Sequence, residues 1–184
     1  MKFKEGKIIE KFSINGIPFI IRCPRKSDVS QLLKYINSLI DEKVFILSTK
    51  RKTRKDEEKW LNDLLNKMKK KEGILLITER GGKIISTCNV SKGGEGANRH
   101  VGTIGLCIAK GYRNAGLGTK LMKKLLEVAK KDLRCSVAML SVFEKNTRAI
   151  HVYEKVGFKK TGKIPKGIKF HGKDQDEIIM VRDI

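Results

Sequence analysis

No two of the four cysteines stand at Cys-x-x-Cys spacing; Cys23, Cys88, Cys107 and Cys135 are scattered along the chain. That scatter excludes a zinc-binding module and a disulfide framework, so no metal is expected and each thiol reads as a small buried group in a reducing cytoplasm. Long apolar runs are missing too. None approaches the roughly 18 residues of a membrane span, and the first ten residues, MKFKEGKIIE, hold no export-type apolar core. The expectation is a soluble, cytoplasmic chain with no membrane partner. Acidic residues are scarce, 20 Asp and Glu against 41 Lys and Arg, which leaves a formal net charge of +21. Such a charge draws polyanions by long-range attraction: nucleic acid, the ribosome, an acidic peptide or a phosphate-bearing cofactor. A lysine-rich surface of the hyperthermophile kind is the alternative. Aromatics make up only 6%, and no aromatic-rich RNA motif or zinc-finger spacing accompanies the charge.

Internal repeats and low-complexity linkers are also absent, and 184 residues suit one domain spanning 1–184. Residues 7–14 and 17–23 are β-like runs around Asn15-Gly16, a dipeptide suited to a type I′ turn, so the chain opens with a hairpin. Asp28 and Gln31 have capping-box spacing ahead of Val29, Leu32, Leu33, Ile36, Leu39 and Ile40 at helical period. Beyond a basic stretch at 50–55, Trp60, Leu61, Leu64, Leu65 and Met68 predict a second amphipathic helix. Strands follow at 74–78 and 83–90 around Gly81-Gly82, and another at 101–109 after the glycine-rich segment 93–98. The pattern then predicts a helix over 117–131 and a strand apolar on both faces at 137–143. Asn146 caps a short helix that stops at Gly157, and strands near 158–164 and 177–182 complete the order. This is an α/β fold, a mixed and mostly antiparallel central sheet flanked by helices.

Chemistry concentrates between residues 101 and 158. Arg113-Asn114-Ala115-Gly116-Leu117-Gly118 joins a strand to a helix start, where N–H groups lack intrahelical partners and the helix dipole favours an anion. Glycine at 116 and 118 lets backbone approach a diphosphate, and Arg113 and Lys120 offer charge. The segment is not a P-loop, because Gly111 is followed at the required spacing by Gly116-Leu117 rather than Gly-Lys. Nor is it a dinucleotide fingerprint, since Leu121 stands where the third glycine belongs.

Arg-x-x-Gly-x-Gly after a strand, then another strand, then the segment from Asn146 to Phe158 containing Tyr153, closely resembles the GCN5-related N-acetyltransferase family. The resemblance covers most of the chain and is weakest over residues 1–24. It implies acetyl-coenzyme A as cosubstrate and an N-acetyltransferase activity toward an amine: a protein N-terminus, a lysine or a small amine. By the same resemblance the main chain of Leu106, Cys107 and Ile108 would hold the pantetheine arm beside a splayed strand. Asn114, Ala115, Gly116, Leu117, Gly118 and Thr119 would hold the pyrophosphate with Arg113, and Asn146 would meet the cofactor. Tyr153 would protonate the departing thiolate, and a backbone N–H of 106–108 would stabilise the oxyanion.

Ribosomal-protein alanine acetyltransferases of the family carry a glutamate five residues before the asparagine, and here that position is Ser141. Glu144, His100 and Glu79 are the remaining candidates for a base, and none is singled out. Cys107 has no His or Asp partner at fixed spacing, which argues against an acyl-enzyme. The loops flanking the acceptor side would be basic, at 50–55 and 163–173, favouring an amine on an acidic peptide over a polyamine. A catalytically silent module that binds nucleic acid or the ribosome is the competing reading.

Overall fold

A computed structural model of the chain describes residues 4–94 and 96–184. Residues 1–3 of the opening segment and residue 95 of the glycine-rich connection lie outside the described residues. Among the described residues, eight strands and four α-helices follow the order expected from the sequence. Strands β1 (Ile8–Ile14) and β2 (Ile17–Arg22) form the opening hairpin. Asn15 and Gly16 turn it with φ of 50° and 76°, the left-handed pair that matches strand twist. Helices α1 (Val29–Asp41) and α2 (Arg54–Lys69) follow, then β3 (Gly73–Arg80), β4 (Lys83–Lys92) and β5 (Val101–Ile108). Helix α3 (Leu117–Leu133), β6 (Val137–Phe143) and α4 (Thr147–Lys155) lead to β7 (Lys159–Phe170) and β8 (Lys173–Asp183).

The sheet runs β1-β2-β3-β4-β5-β6-β8-β7, antiparallel throughout except for β5 and β6. Period-two alternation splits its apolar residues between two cores. On one face Leu75, Ile77 and Ile84 pack with Leu32, Leu39, Leu61 and Leu65 of α1 and α2. On the other, Ile74, Leu76 and Val90 meet Leu121, Met122 and Leu125 of α3. Truncating one such fully buried leucine to alanine typically costs about 2–5 kcal/mol.

Asp28 does not cap α1 as its spacing predicts. Its carboxylate instead accepts from both terminal guanidinium nitrogens of Arg22 at 2.7 and 2.8 Å and from the Arg25 N–H at 2.7 Å. Arg22 is 1% exposed and also donates to Glu79 at 2.7 Å. Burial alone would lower the guanidinium's pKa, but the two carboxylates outweigh it and raise it. Losing one partner of so buried a pair costs about 3–5 kcal/mol. The pairing explains why a charged residue ends β2, and it commits Glu79 to structure.

The last two strands are longer than their sequence signals. The stretch expected as a loop at 163–173 is mostly paired strand, turned at His171 and Gly172 with φ of 48° and 80°. Pro165 and two glycines interrupt the alternation there, because the register shifts between Ile164 and Ile168, with Lys166 at φ 55°.

Candidate active site

The site begins where the sheet opens. β5 pairs with β6 only over Val101–Thr103, while on its other side β5 pairs with β4 as far as Ile108. From Ile104 onward the β6-facing edge of β5 therefore has no strand partner. A cavity of about 950 Å³ occupies the opening, bounded by Leu106, Cys107 and Ile108 on one side and by α4 on the other.

At its far end lies the strand-to-helix turn. Gly116 stands at the N-cap of α3 with φ 79°, and a side chain there would be strained in spite of open space around it. With no capping side chain, the first N–H groups of α3 are left for a ligand. Lys120 is the first to bond back, its N–H donating to the Gly116 carbonyl at 3.1 Å. A Cβ on Gly118 would sit 3.5 Å from Ile108 and 3.6 Å from Val152, so the missing side chain leaves space between α3 and α4.

Of the residues expected to hold the cofactor, Leu106, Cys107, Ile108, Arg113, Asn114, Gly116, Gly118, Thr119 and Asn146 line this cavity. Ala115 is exposed and does not line it, and the Leu117 side chain is buried in the core. Asn146 accepts from the Ala149 N–H at 3.3 Å and so caps α4 while facing the cavity.

The charges differ from expectation. Lys120 reaches away from the cavity to pair with Glu10 and lie over the Phe12 ring. At about 100° per residue it is some 200° around α3 from Gly118, which explains the reversal. Arg113 is held by both carboxylate oxygens of Glu42 at 2.5 and 2.9 Å, and its Nε donates to the Ile108 carbonyl at 2.7 Å. Its hydrogen bond holds the Glu42 carboxyl below the usual range. Arg113 therefore braces the end of α1 against β5. Sequence reasoning missed four further cations on the cavity wall: Lys43, Lys145, Arg148 and Lys155. The last two are seven residues apart on one face of α4, a spacing readable in the sequence.

Tyr153 is 8% exposed, lines the cavity and packs its ring 6.0 Å from Phe158. Burial, followed by the nearby Cys107, pushes its hydroxyl up to about 12. The group stays protonated at neutral pH and has no hydrogen-bond partner among the described residues, so it is available to a ligand. Cys107 is likewise raised to about 11, chiefly by burial, which leaves little thiolate.

The residues weighed as bases are placed elsewhere. Glu79 is bound to Arg22, Glu144 pairs with Lys163 at 2.8 Å, and His100 does not line the cavity. Ser141 is exposed on β6. The basic loops are partly neutralised: Arg51 pairs with Asp41, Arg54 with Glu58 at 2.8 Å, and Lys163 with Asp176 at 2.7 Å.

Among the described residues no helix is long and apolar enough to cross a membrane, and no group of three or more His, Cys, Asp or Glu is placed to hold a metal.

Known proteins share parts of this sequence and this fold. The L-amino acid N-acetyltransferase of Escherichia coli is 34% identical over 83 residues, covering 45% of this chain and 51% of that one. The chain spans about half the length of the curated relatives it matches. A GNAT-family acetyltransferase structure from Streptococcus pneumoniae superposes with a TM-score of 0.80 at 28% identity, over 90% of this chain and 99% of that one. A putative acetyltransferase from Salmonella typhimurium, solved with its cofactor acetyl-CoA, shares the fold with a TM-score of 0.77 at 17% identity, over 90% and 93% of the two chains. The Acetyltransferase (GNAT) family model matches residues 38–158, and with that match the chain belongs to the GNAT acetyltransferase family.

Proposed function

We propose that this chain is an acetyl-CoA-dependent N-acetyltransferase, one domain in which an amine attacks the thioester directly. One observation carries the reading: a single cavity runs from the uncapped start of α3, along the unpaired edge of β5, to the Tyr153 hydroxyl. Each part suits one piece of the cosubstrate. The N–H groups at the start of α3, aided by the helix dipole, receive the pyrophosphate, and Lys145, Arg148 and Lys155 supply its counter-charge. The open edge of β5 at Leu106, Cys107 and Ile108 offers main-chain donors and acceptors to the amide-bearing pantetheine arm, as a neighbouring strand would. Asn146 meets it from the opposite wall.

In acetyl transfer the neutral amine adds to the carbonyl, the C–S bond breaks, and the sulfur leaves as a thiolate that needs a proton. A backbone N–H of β5 stabilises the oxyanion, and Tyr153 donates to the thiolate. The amine's own proton leaves through water, since the weighed carboxylates are engaged in ion pairs. The high thiol pKa of Cys107 speaks against an acyl-enzyme. A silent binding module would have no use for a cavity open as far as the Tyr153 hydroxyl.

The acceptor is a protein N-terminus, a lysine or a small amine. The net charge of +21 favours acceptors near negative charge, such as an acidic peptide or a protein held on the ribosome or nucleic acid. Four free cysteines support a reducing, cytoplasmic setting for this reading. The test is coenzyme A release measured across a panel of amines, with mass spectrometry of the products. Release that depends on an amine and yields its N-acetyl derivative supports the reading; release independent of any amine overturns it.

A further inference from the structure

We propose that Phe45, Phe143 and Phe170, with Glu177 beside them, form the acceptor subsite, and that the acceptor is a primary amine borne on a compact apolar group, preferably aromatic. This rests on the acetyl-transfer reading above and narrows it.

The chain has only seven phenylalanines, yet three from distant segments converge. Phe45 comes from the loop after α1, Phe143 from the end of β6 and Phe170 from the end of β7. Their ring centroids lie 5.3, 5.7 and 5.1 Å apart in tilted and edge-on pairs, the geometry in which aromatic rings attract. The cluster is not sealed. Phe45 remains 36% exposed and Leu47 next to it 72%, and a second cavity of about 300 Å³ opens against Phe143, Phe170, Ile168 and Leu47. Phe45 lines the first cavity and Ile46 lines both, so the two spaces adjoin. The smaller one stands at the lower limit of ligand sites, which run from about 300 to 1,000 Å³. One ring-bearing amine fits that volume better than a long polyamine or a folded surface.

Of the described residues lining the second cavity, Glu177 is the one acid and Lys169 the one cation. Glu177 forms no ion pair or side-chain hydrogen bond among the described residues, whereas its neighbours Asp176 and Glu144 are both taken by Lys163. In a chain with twice as many basic as acidic residues, a half-buried carboxylate left free beside an apolar wall is unusual. Glu177 stands directly opposite Phe143 in the β6–β8 register, so both side chains rise from the same face of the sheet. Gly167 makes room for it: a Cβ there would come within 3.1 Å of the Glu177 carboxylate and 3.0 Å of Ile164. A carboxylate at the edge of aromatic rings is complementary to an ammonium group, which also gains from the ring faces.

The test uses the intact chain with acetyl-CoA and three amines, 2-phenylethylamine, ethylamine and spermidine. The expected kcat/KM for 2-phenylethylamine exceeds the other two by at least about tenfold. Phe170→Ala should erase most of that preference while the melting shift on adding acetyl-CoA is retained. Glu177→Gln should raise KM for 2-phenylethylamine about tenfold with a smaller change in kcat. Calorimetric titration of 2-phenylethylamine into the coenzyme A complex reads the subsite without turnover, and no binding there overturns the proposal. Equal use of ethylamine or spermidine also overturns it while leaving acetyl transfer intact. Failure of acetyl-CoA itself to shift melting strikes the underlying reading instead. Concentration-dependent dimerisation in sedimentation, abolished by Leu47→Asp, would assign the patch to a second copy of the chain and overturn the proposal as well.

Discussion

The two ends of the cleft are built by different means. At the α3 end the groups offered to a ligand are main-chain atoms, fixed by a left-handed residue at Gly116 and by the early end of β5–β6 pairing. At the β7–β8 end the groups proposed to meet the acceptor are side chains: Phe45, Phe143, Phe170 and Glu177, drawn from the loop after α1 and from β6, β7 and β8. Main-chain sites tolerate change in most side chains so long as the glycines and the helix start persist. Side-chain sites are remade by one substitution. On the proposed reading, a cleft with one end of each kind keeps its donor and is free to vary its acceptor.

The sharpest test of this contrast sits between the ends, at Tyr153. Tyr153→Phe retains the ring against Phe158 and removes the hydroxyl, and kcat is expected to fall about 10²-fold or more. Acetyl-CoA should still raise the melting temperature as in the parent. Because burial pushes the hydroxyl up to about 12, an acid of this kind stays protonated well above the ordinary tyrosine value of about 10. The rate should therefore climb with pH as the acceptor amine deprotonates, with no tyrosine-dependent fall before that range. Full kcat in the variant, under conditions where chemistry limits the rate, would reduce Tyr153 to packing.

Next in size is the donor end itself. Acetyl-CoA at about 100 times its Kd stabilises the fold by about 2.7 kcal/mol, and at about 2–4 °C per kcal/mol for a chain of this size melting should rise by about 5–10 °C. Gly118→Trp places an indole between α3 and α4 and should abolish the rise. The rise must persist in Ser141→Ala, on the exposed face of β6. An undiminished shift in a folded Gly118→Trp protein would falsify the placement of the pyrophosphate.

The smallest expected effect belongs to the acceptor end and its charge. Peptides with acidic residues after the amino terminus should be preferred a few-fold over basic ones at low salt, and the gap should close as screening shortens to about 10 Å at 0.1 M. The effect is modest because Arg51, Arg54 and Lys163 already have carboxylate partners. A preference for basic peptides at low salt would invert the electrostatic part of the comparison.

The same division decides what could be read from the sequence. Turns and helix starts are local, so Asn15-Gly16, Asn146, Gly157 and the 113–118 segment were legible, and the strand and helix order followed. Tyr153 was legible because it stands in that local pattern. Pairings across the chain were not. Lys120 turns to Glu10, Arg113 to Glu42 and Asp28 to Arg22, each pair settled by packing that no spacing encodes. The hairpin at 163–173 looked like a basic loop because Gly162, Pro165 and Gly167 mask a strand with an irregular register. The aromatic cluster was hidden for the same reason, since its three rings meet only after the last two strands have paired.

The parting of β5 from β6 has a consequence for the protein between turnovers. Most sheets have two edges, at their outer strands, and the parting of this one adds two more inside it: Ile104–Ile108 of β5, whose last carbonyl accepts from Arg113, and Leu140–Phe143 of β6. An unpaired run of N–H and C=O groups is a template for any extended chain that reaches it. On the proposed reading, in which the pantetheine arm lies along the β5 edge, depletion of acetyl-CoA leaves that edge bare, and the amides facing the gap should then exchange with solvent faster than those of Gly102 and Thr103, which remain paired. On that reading the supply of acetyl donor sets how well one sheet is closed.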